Sequence, residues 1–363
     1  MKNQELTQLQ QKREELLTLL KENELAFAGL SGDVQKDTFD LPKKIDADLI
    51  EHIEKFNEKR NSLIDSEISY SGFKDFDNII GGFKKNDFVI IGARPGMGKT
   101  ELMLNMLLNN ISTSRKNVLY FSLEMNKTQT LNKLLSYEAE VPYAKINSGA
   151  LKKSEWKSFE KNIETLKKLP LFIDDTASIN LYDLIAKCKQ MKQEHNVNLV
   201  YIDSLQLITL TEKERRKASS KNVLNVVSAA LKDLIKTEDI SIIATSQLSR
   251  SLETRGGAKR PQIMDLKGSG ELEEIADTVI LLYRPEVYGL THDDDGLDTR
   301  GIAELIVAKN NFGKTSTFKI KYESWINKFS DLTQEDIDMQ NRGWQSERPY
   351  DGYDYDDDDD EPF

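Results

Sequence analysis

The residues best suited to chemistry lie in the stretch 89–100, VIIGARPGMGKT. An apolar run stops at Gly92, and a loop of Ala93, Arg94, Pro95, Gly96, Met97 and Gly98 follows. Lys99 and Thr100 then lead into a helical pattern at 101–104. Strand, glycine-bearing loop, Gly-Lys-Thr and helix is the spacing of a P-loop, here with alanine in the first position. Gly96 and Gly98 lack Cβ, so the backbone there can turn its N–H groups inward on a phosphate chain. The helix N-terminus adds a favourable dipole. Lys99 is then placed for the β- and γ-phosphates, and the Thr100 hydroxyl for Mg²⁺. The expected ligands are ATP, or another nucleoside triphosphate, and Mg²⁺, cradled by residues 93–100.

Three more apolar runs end in polar groups. LVYID (199–203) ends in Asp203, where the Mg²⁺-organising carboxylate of a P-loop protein belongs. Asp174 and Asp175 in LFIDDT form a rival pair, although Thr176 and the helical pattern beyond suit one of them to an N-cap. LYFSLE (119–124) ends in Glu124, the choice for a base that orients an attacking water. IIATSQ (242–247) ends in Gln247, whose amide can donate to a γ-phosphate oxygen and sense its loss.

The elements that must hold these groups alternate. Strands are expected at 88–91, 118–122, 171–173, 199–202, 240–245, 278–282, 302–308 and 317–322. Helices are expected after Lys99 and at 126–136, 153–169, 181–194 and 222–238. This order predicts an α/β fold with a mainly parallel sheet covered on both faces, its last strands added antiparallel. Polar stretches at 210–221 and 251–261 read as mobile loops. Upstream, 1–28 and 46–64 carry helical patterns separated by Gly29, Gly32 and Pro42. The expected division is a helical N-terminal segment with a linker helix (1–70), an α/β domain that carries the P-loop (71–332) and an acidic, disordered tail (333–363).

Composition narrows the class. Of 363 residues, 38% are hydrophobic and 31% charged, and no apolar run approaches the ~20 residues of a membrane span. The N-terminal stretch is charged and amphipathic, without the apolar core of a signal peptide. The single cysteine, Cys188, excludes an internal disulfide and fits a reducing, cytoplasmic setting, most simply as a small buried hydrophobe. The net charge is −11, but eight acidic residues and no basic ones fall in 351–363. The rest of the chain is therefore close to balance and free to carry a local basic lining.

Together these residues resemble the RecA-like motor domain of the DnaB-type replicative helicases. The resemblance runs from 71 to about 329. It rests on GARPGMGKT, VLYFSLEM (118–125), PLFIDDT (170–176), NLVYIDSLQLI (198–208), ATSQLSRSLETR (244–255), DLKGSGELEEIADTVILLYR (265–284) and AELIVAKNNFGKTST (303–317). It implies a hexameric ring that hydrolyses NTP between subunits and draws single-stranded DNA through its centre. Lys99 and Thr100 would bind phosphate and Mg²⁺, Glu124 activate water, Asp203 support the metal, and Gln247 couple the γ-phosphate to DNA-facing loops. DLKGSGELEE resembles the inner-ring loop, where Lys267, Gly268, Ser269 and Gly270 would meet the DNA backbone. Arg255, Lys259 and Arg260 form a second basic candidate, with a solvated charge run as the alternative. The family usually carries Lys-x-Arg before the last hairpin, both charges reaching the neighbour's γ-phosphate. Here Lys309 matches the lysine and Asn311 replaces the arginine.

The end of the sequence, DDDDDEPF (356–363), looks like the tip of bacterial single-stranded DNA-binding proteins. Pro362 and Phe363 would occupy a basic pocket with an apolar floor. The implied partners are single-stranded DNA and forks, further copies of the chain, a primase, a helicase loader and proteins that bind such tips. Two alternatives stay open: a RecA-like DNA-dependent ATPase without unwinding activity, and a helicase-homologue adaptor that co-assembles with another helicase.

Overall fold

A computed structural model describes residues 68–342, apart from 115, 213–214, 216–222, 267–268 and 294. After a short helix α1 (Lys74–Ile80), closed by Gly81 at φ 79°, the chain enters β1 (Phe88–Ala93). There follow α2 (Lys99–Ser114), β2 (Val118–Ser122), α3 (Lys127–Ala139), α4 (Tyr143–Ser148), α5 (Lys153–Leu166) and β3 (Leu171–Asp174). Next come α6 (Leu181–His195), β4 (Leu199–Asp203), α7 (Val223–Glu238), β5 (Ser241–Gln247), α8 (Ser269–Ile275) and β6 (Thr278–Tyr283). The last elements are β7 (Ile302–Asn310), β8 (Ser316–Glu323), β9 (Lys328–Ser330) and α9 (Gln334–Arg342).

The strands form one sheet in the order β3-β2-β4-β5-β1-β6-β7-β8-β9. β1 to β6 run parallel and β7 to β9 join antiparallel, as the sequence predicts. β1, β2, β4 and β6 are buried along their whole length, which is why they read as unbroken apolar runs. Alternate residues still face opposite cores. Val89, Ile91, Tyr120 and Tyr201 pack with Leu102, Met106 and Leu107 of α2, whereas Phe88, Ile90, Phe121 and Ile202 pack with Leu184, Leu231 and Leu234 of α6 and α7. β8 buries only Phe318, Ile320 and Tyr322, as a strand covered on one face should. Cys188 is buried on the α6 side.

Local chemistry sets the boundaries. Asn126 is the N-cap of α3 rather than its first residue: its side chain accepts from Gln129 N–H, and the Gln129 amide accepts from Asn126 N–H. Asn180 caps α6, its side chain accepting from the Asp183 N–H at 2.9 Å. Asp174 and Asp175 therefore do not cap α6; Asp174 accepts from Lys187 and Asp175 accepts from Lys127 N–H at the start of α3. Thr333 and Asp336 cap α9, a helix in the stretch expected to begin the tail. Among the described residues no helix is long and apolar enough to cross a membrane.

The stretch 251–261 opens with a 3₁₀ turn at Arg250–Thr254 and continues as a loop whose charges are anchored to the body. Arg255 donates to Asp265 at 2.6 Å and to the Arg260 carbonyl, while Arg260 donates to Glu304 and Thr317. Charge composition alone cannot show that each cation has a partner elsewhere in the chain.

Candidate nucleotide-binding site

β1 lies between β5 and β6, so the chain leaves it toward one side of the sheet and returns on the other. A crevice opens beyond the carboxyl ends of strands at such a switch point. Here it is a cavity of about 440 Å³ lined by Ala93, Arg94, Pro95, Gly96, Gly98, Lys99, Thr100, Glu124 and Gln247, together with Glu101, Tyr322 and Asn327.

The loop is built as its glycines require. Gly96 and Gly98 sit at φ 81° and 89°, in the left-handed region that side chains disfavour. A Cβ on Gly98 would also stand 3.0 Å from Cζ of Phe329, so β9 presses directly on the loop. Two residues of the loop are structural in their side chains. Met97 is buried in the α2-side core, and Arg94 donates to the Glu253 carboxylate and to the Leu248 carbonyl, both at 2.8 Å. Arg94 thereby ties the loop to the segment after β5, and its guanidinium holds the Glu253 carboxyl below the usual range.

The chemical groups converge from three strand ends and one helix start. Thr100 Oγ1 donates to Asp203 Oδ2 at 2.6 Å, and Thr245 donates to the other oxygen. Lys99 Nζ lies 3.0 Å from Glu124 Oε1 and 3.6 Å from Asp203 Oδ1. The N–H groups of Leu123 and Glu124 both bond the Asp203 carbonyl, at 2.8 and 3.2 Å, which fixes the ends of β2 and β4 together. Burial pushes the Asp203 carboxyl up; Lys99 opposes this, and Glu124 adds to the rise. Glu124, by contrast, keeps a side chain 40% exposed, open to water. Gln247 stands beside Ala93 in the β1–β5 register.

This donor set fits a nucleoside triphosphate with a divalent cation. The glycine loop supplies an amide cradle that a Cβ would fill, Lys99 a cation, and Thr100 with Asp203 hard oxygen ligands. Of the three candidate carboxylates, Asp203 is the one hydrogen-bonded to the loop's Thr100; Asp174 accepts from Lys187 and Asp175 from the Lys127 N–H, away from the loop.

Three lining residues have no counterpart in the sequence reading. Glu101 directly follows the motif and could have been found from its position. Tyr322 and Asn327 arrive on the β8–β9 hairpin, and nothing local to them signals a cleft. Tyr322 donates to Asn327 Oδ1 at 2.7 Å, and the Arg284 guanidinium lies 3.6 Å over its ring.

The remaining expected residues lie elsewhere. Lys309 Nζ donates to the carbonyls of Glu273, Glu274 and Ala276, closing the C-terminus of α8 within the same chain. Asn311 bonds Asp277 through both its N–H and its side-chain amide. Lys259 rests 5.2 Å over the Tyr288 ring. Ser269 and Gly270 form the first turn of α8, whereas Lys267, Gly268, Pro362 and Phe363 lie outside the described residues.

Comparison with known proteins agrees with this geometry. The family described as DnaB-like helicase C terminal domain matches residues 69–331. A probable replicative DNA helicase of Trieres chinensis is 37% identical over 268 residues, covering 73% of this chain and 58% of that protein. The chain thus spans little more than half the length of that relative. Among solved structures, one described as an ATPase domain superposes with TM-score 0.69 at 29% identity, over 81% of this chain and 100% of that one. A DnaB-like replicative helicase, solved with attention to its interactions with primase, gives TM-score 0.70 at 29% identity, over 80% and 69% of the two chains. On its fold, its cleft and these likenesses, the chain belongs to the DnaB-like helicase C-terminal domain family.

Proposed function

We propose that this chain is the motor of a replicative DNA helicase: an ATP-driven enzyme that assembles as a ring, translocates on single-stranded DNA and unwinds forks. The observation that carries the proposal is the meeting of Lys99, Thr100, Glu124 and Gln247 in one cleft at the switch point of the sheet, with buried Asp203 bonded to Thr100 and beside Lys99.

ATP with Mg²⁺ supplies the phosphoanhydride whose hydrolysis releases free energy. The chain's own groups divide the work. The loop amides and Lys99 hold the phosphates, and Thr100 and Asp203 present oxygens to the cation. Glu124, paired with Lys99, is exposed enough to take a proton from an attacking water. Gln247 ends β5, and the segment that leaves it bonds through Leu248 to Ala93 and through Ser249 to Asp265. A displacement at the γ-phosphate would therefore be felt at Asp265. DNA contact is assigned to Lys267, Gly268, Ser269 and Gly270 ahead of Arg255, Lys259 and Arg260, whose charges are already partnered. A homohexamer, cytoplasmic residence, a primase and a loader follow from the same reading. The acidic run and Pro362-Phe363 would dock on a basic, apolar-floored partner.

One observation favours a second reading. Asn311, at the position of the family's arginine, is turned back on Asp277 and offers no cation to a neighbour. An ATPase with a slow interface, working beside a second helicase, fits that feature. Unwinding of a forked duplex by the purified chain separates the two.

A further inference from the structure

The cleft has a second wall, opposite the Lys99–Glu124 pair in composition and assigned no task by the hydrolysis reading. It consists of Glu101, Tyr322 and Asn327. We propose that Glu101 reads the sugar of the bound nucleotide, accepting a hydrogen bond from a ribose hydroxyl; this deepens, and rests on, the nucleotide-binding reading above.

The starting point is a carboxylate where a carboxylate is awkward. Glu101 is the residue after Thr100, in the first turn of α2, and its side chain is 19% exposed. Phosphate groups offer only acceptors and negative charge, so a carboxylate beside them is repelled unless it is neutralised and aimed at a donor. Both conditions hold. Lys133 of α3 clamps Glu101 Oε1 at 2.6 Å and fixes the side chain. Oε2 accepts no hydrogen bond among the described residues and lies 3.8 Å from where a Cβ of Gly98 would stand. It therefore faces the cleft beside the phosphate loop.

The order of groups along this wall then selects the sugar. Phe329 abuts Gly98, and Tyr322 packs on Phe329 with ring centroids 4.7 Å apart. The Glu101 carboxylate thus lies next to Gly98 of the loop, whereas the aromatic Tyr322, with Asn327 beside it, reaches Gly98 only through Phe329. A nucleotide offers phosphates, then a sugar, then a flat base, in the same order. Asn327 gives its oxygen to Tyr322, and its Nδ2 has no partner among the described residues, leaving a donor for the base end. The hydroxyls of a ribose are the donors nearest the phosphates, so they meet Glu101 first.

The test is calorimetric binding of the full-length protein, in Mg²⁺, to ATP, 2′-deoxy-ATP, 3′-deoxy-ATP and inosine triphosphate, repeated with Glu101→Gln. A hydrogen bond to a charged acceptor at a partly exposed site predicts that removing one sugar hydroxyl weakens wild-type binding about tenfold. In Glu101→Gln the same removal should cost less than about twofold, and ATP itself should bind about tenfold more weakly. If wild type binds both deoxy forms as tightly as ATP, the inference is overturned without reference to any variant. It is overturned equally if the deoxy penalty survives in Glu101→Gln. Should inosine triphosphate, which lacks the exocyclic amine, carry the Glu101-dependent penalty instead, the carboxylate reads the base and the assignment is wrong. Absence of any nucleotide binding by wild type would defeat the parent reading, an outcome distinct from binding without sugar discrimination.

Discussion

Lys309→Met removes an ammonium while keeping the aliphatic stem, and it separates two roles for one residue. In the structure that ammonium meets three carbonyls, of Glu273 at 2.8 Å, Glu274 at 3.0 Å and Ala276 at 2.7 Å. These are the orphan acceptors at the C-terminus of α8, a helix of seven residues, too short to hold itself by propensity. Hydrogen bonds to a charged group are worth about 1.5–3 kcal/mol each in favourable sites. The three share one partly exposed donor and cannot be added, so a total of about 2 kcal/mol is the reasonable figure. Just beyond, Asp277 exchanges hydrogen bonds with Phe88 at the start of β1, which should confine the damage to α8. Hydrogen exchange read by mass spectrometry should therefore show the peptide over 269–276 opening about 30-fold faster, since each ~1.4 kcal/mol is a factor of ten. Peptides from β1 and β4 should be unchanged. If α8 keeps its protection while ATP hydrolysis by the assembled protein collapses, the helix-capping role is refuted and Lys309 acts only across the subunit interface.

Two further perturbations probe the cleft and the core. Glu124→Gln should bind Mg·ATP about as tightly as wild type yet hydrolyse it roughly a hundredfold or more slowly, the loss expected when a general base is removed; weakened binding instead would make Glu124 a ligand rather than a base. Asp87 is buried, with its carboxyl pushed up to about 6 by burial first and by nearby Asp277 against the Lys84 amide hydrogen bond. A raised carboxyl stabilises the fold only while protonated, fully below its ordinary 3.8 and no longer once pH passes about 6. Asp87→Asn does not titrate, so its stability relative to wild type should rise between about pH 4 and pH 8, by at most about 3 kcal/mol. A difference in denaturation midpoint that does not change with pH would show that Asp87 titrates normally.

How much of this was legible beforehand depended on whether the signal was local. The parallel strands were found because burial on both faces makes them continuous apolar runs, and each polar strand end was visible where its run stopped. Asp203, Thr100, Lys99 and Glu124 come together because strand order, not sequence distance, decides neighbours, and the P-loop fixed one end of that order. Tyr322 and Asn327 were hidden because they enter on an antiparallel hairpin whose pairing is non-local. α1 and α8 were missed because seven residues give too few turns for a period to register. The surroundings of the basic residues were the least legible. Arg255, Arg260 and Lys309 read as free cations in a one-dimensional sequence, whereas Asp265, Glu304 and three helix-end carbonyls are their partners in space.

The central claim is that ATP hydrolysis in this cleft drives strand separation, and one measurement meets it head on. Purified full-length protein is given a forked duplex with ATP and Mg²⁺, alongside Lys99→Ala folded to the same circular dichroism spectrum. The account predicts that wild type separates the strands with a DNA-stimulated ATPase, and that Lys99→Ala, lacking the ammonium that reaches the phosphates, does neither. Assembled wild type that hydrolyses ATP on single-stranded DNA but leaves the fork intact, or a Lys99→Ala variant that still unwinds it, would contradict the account.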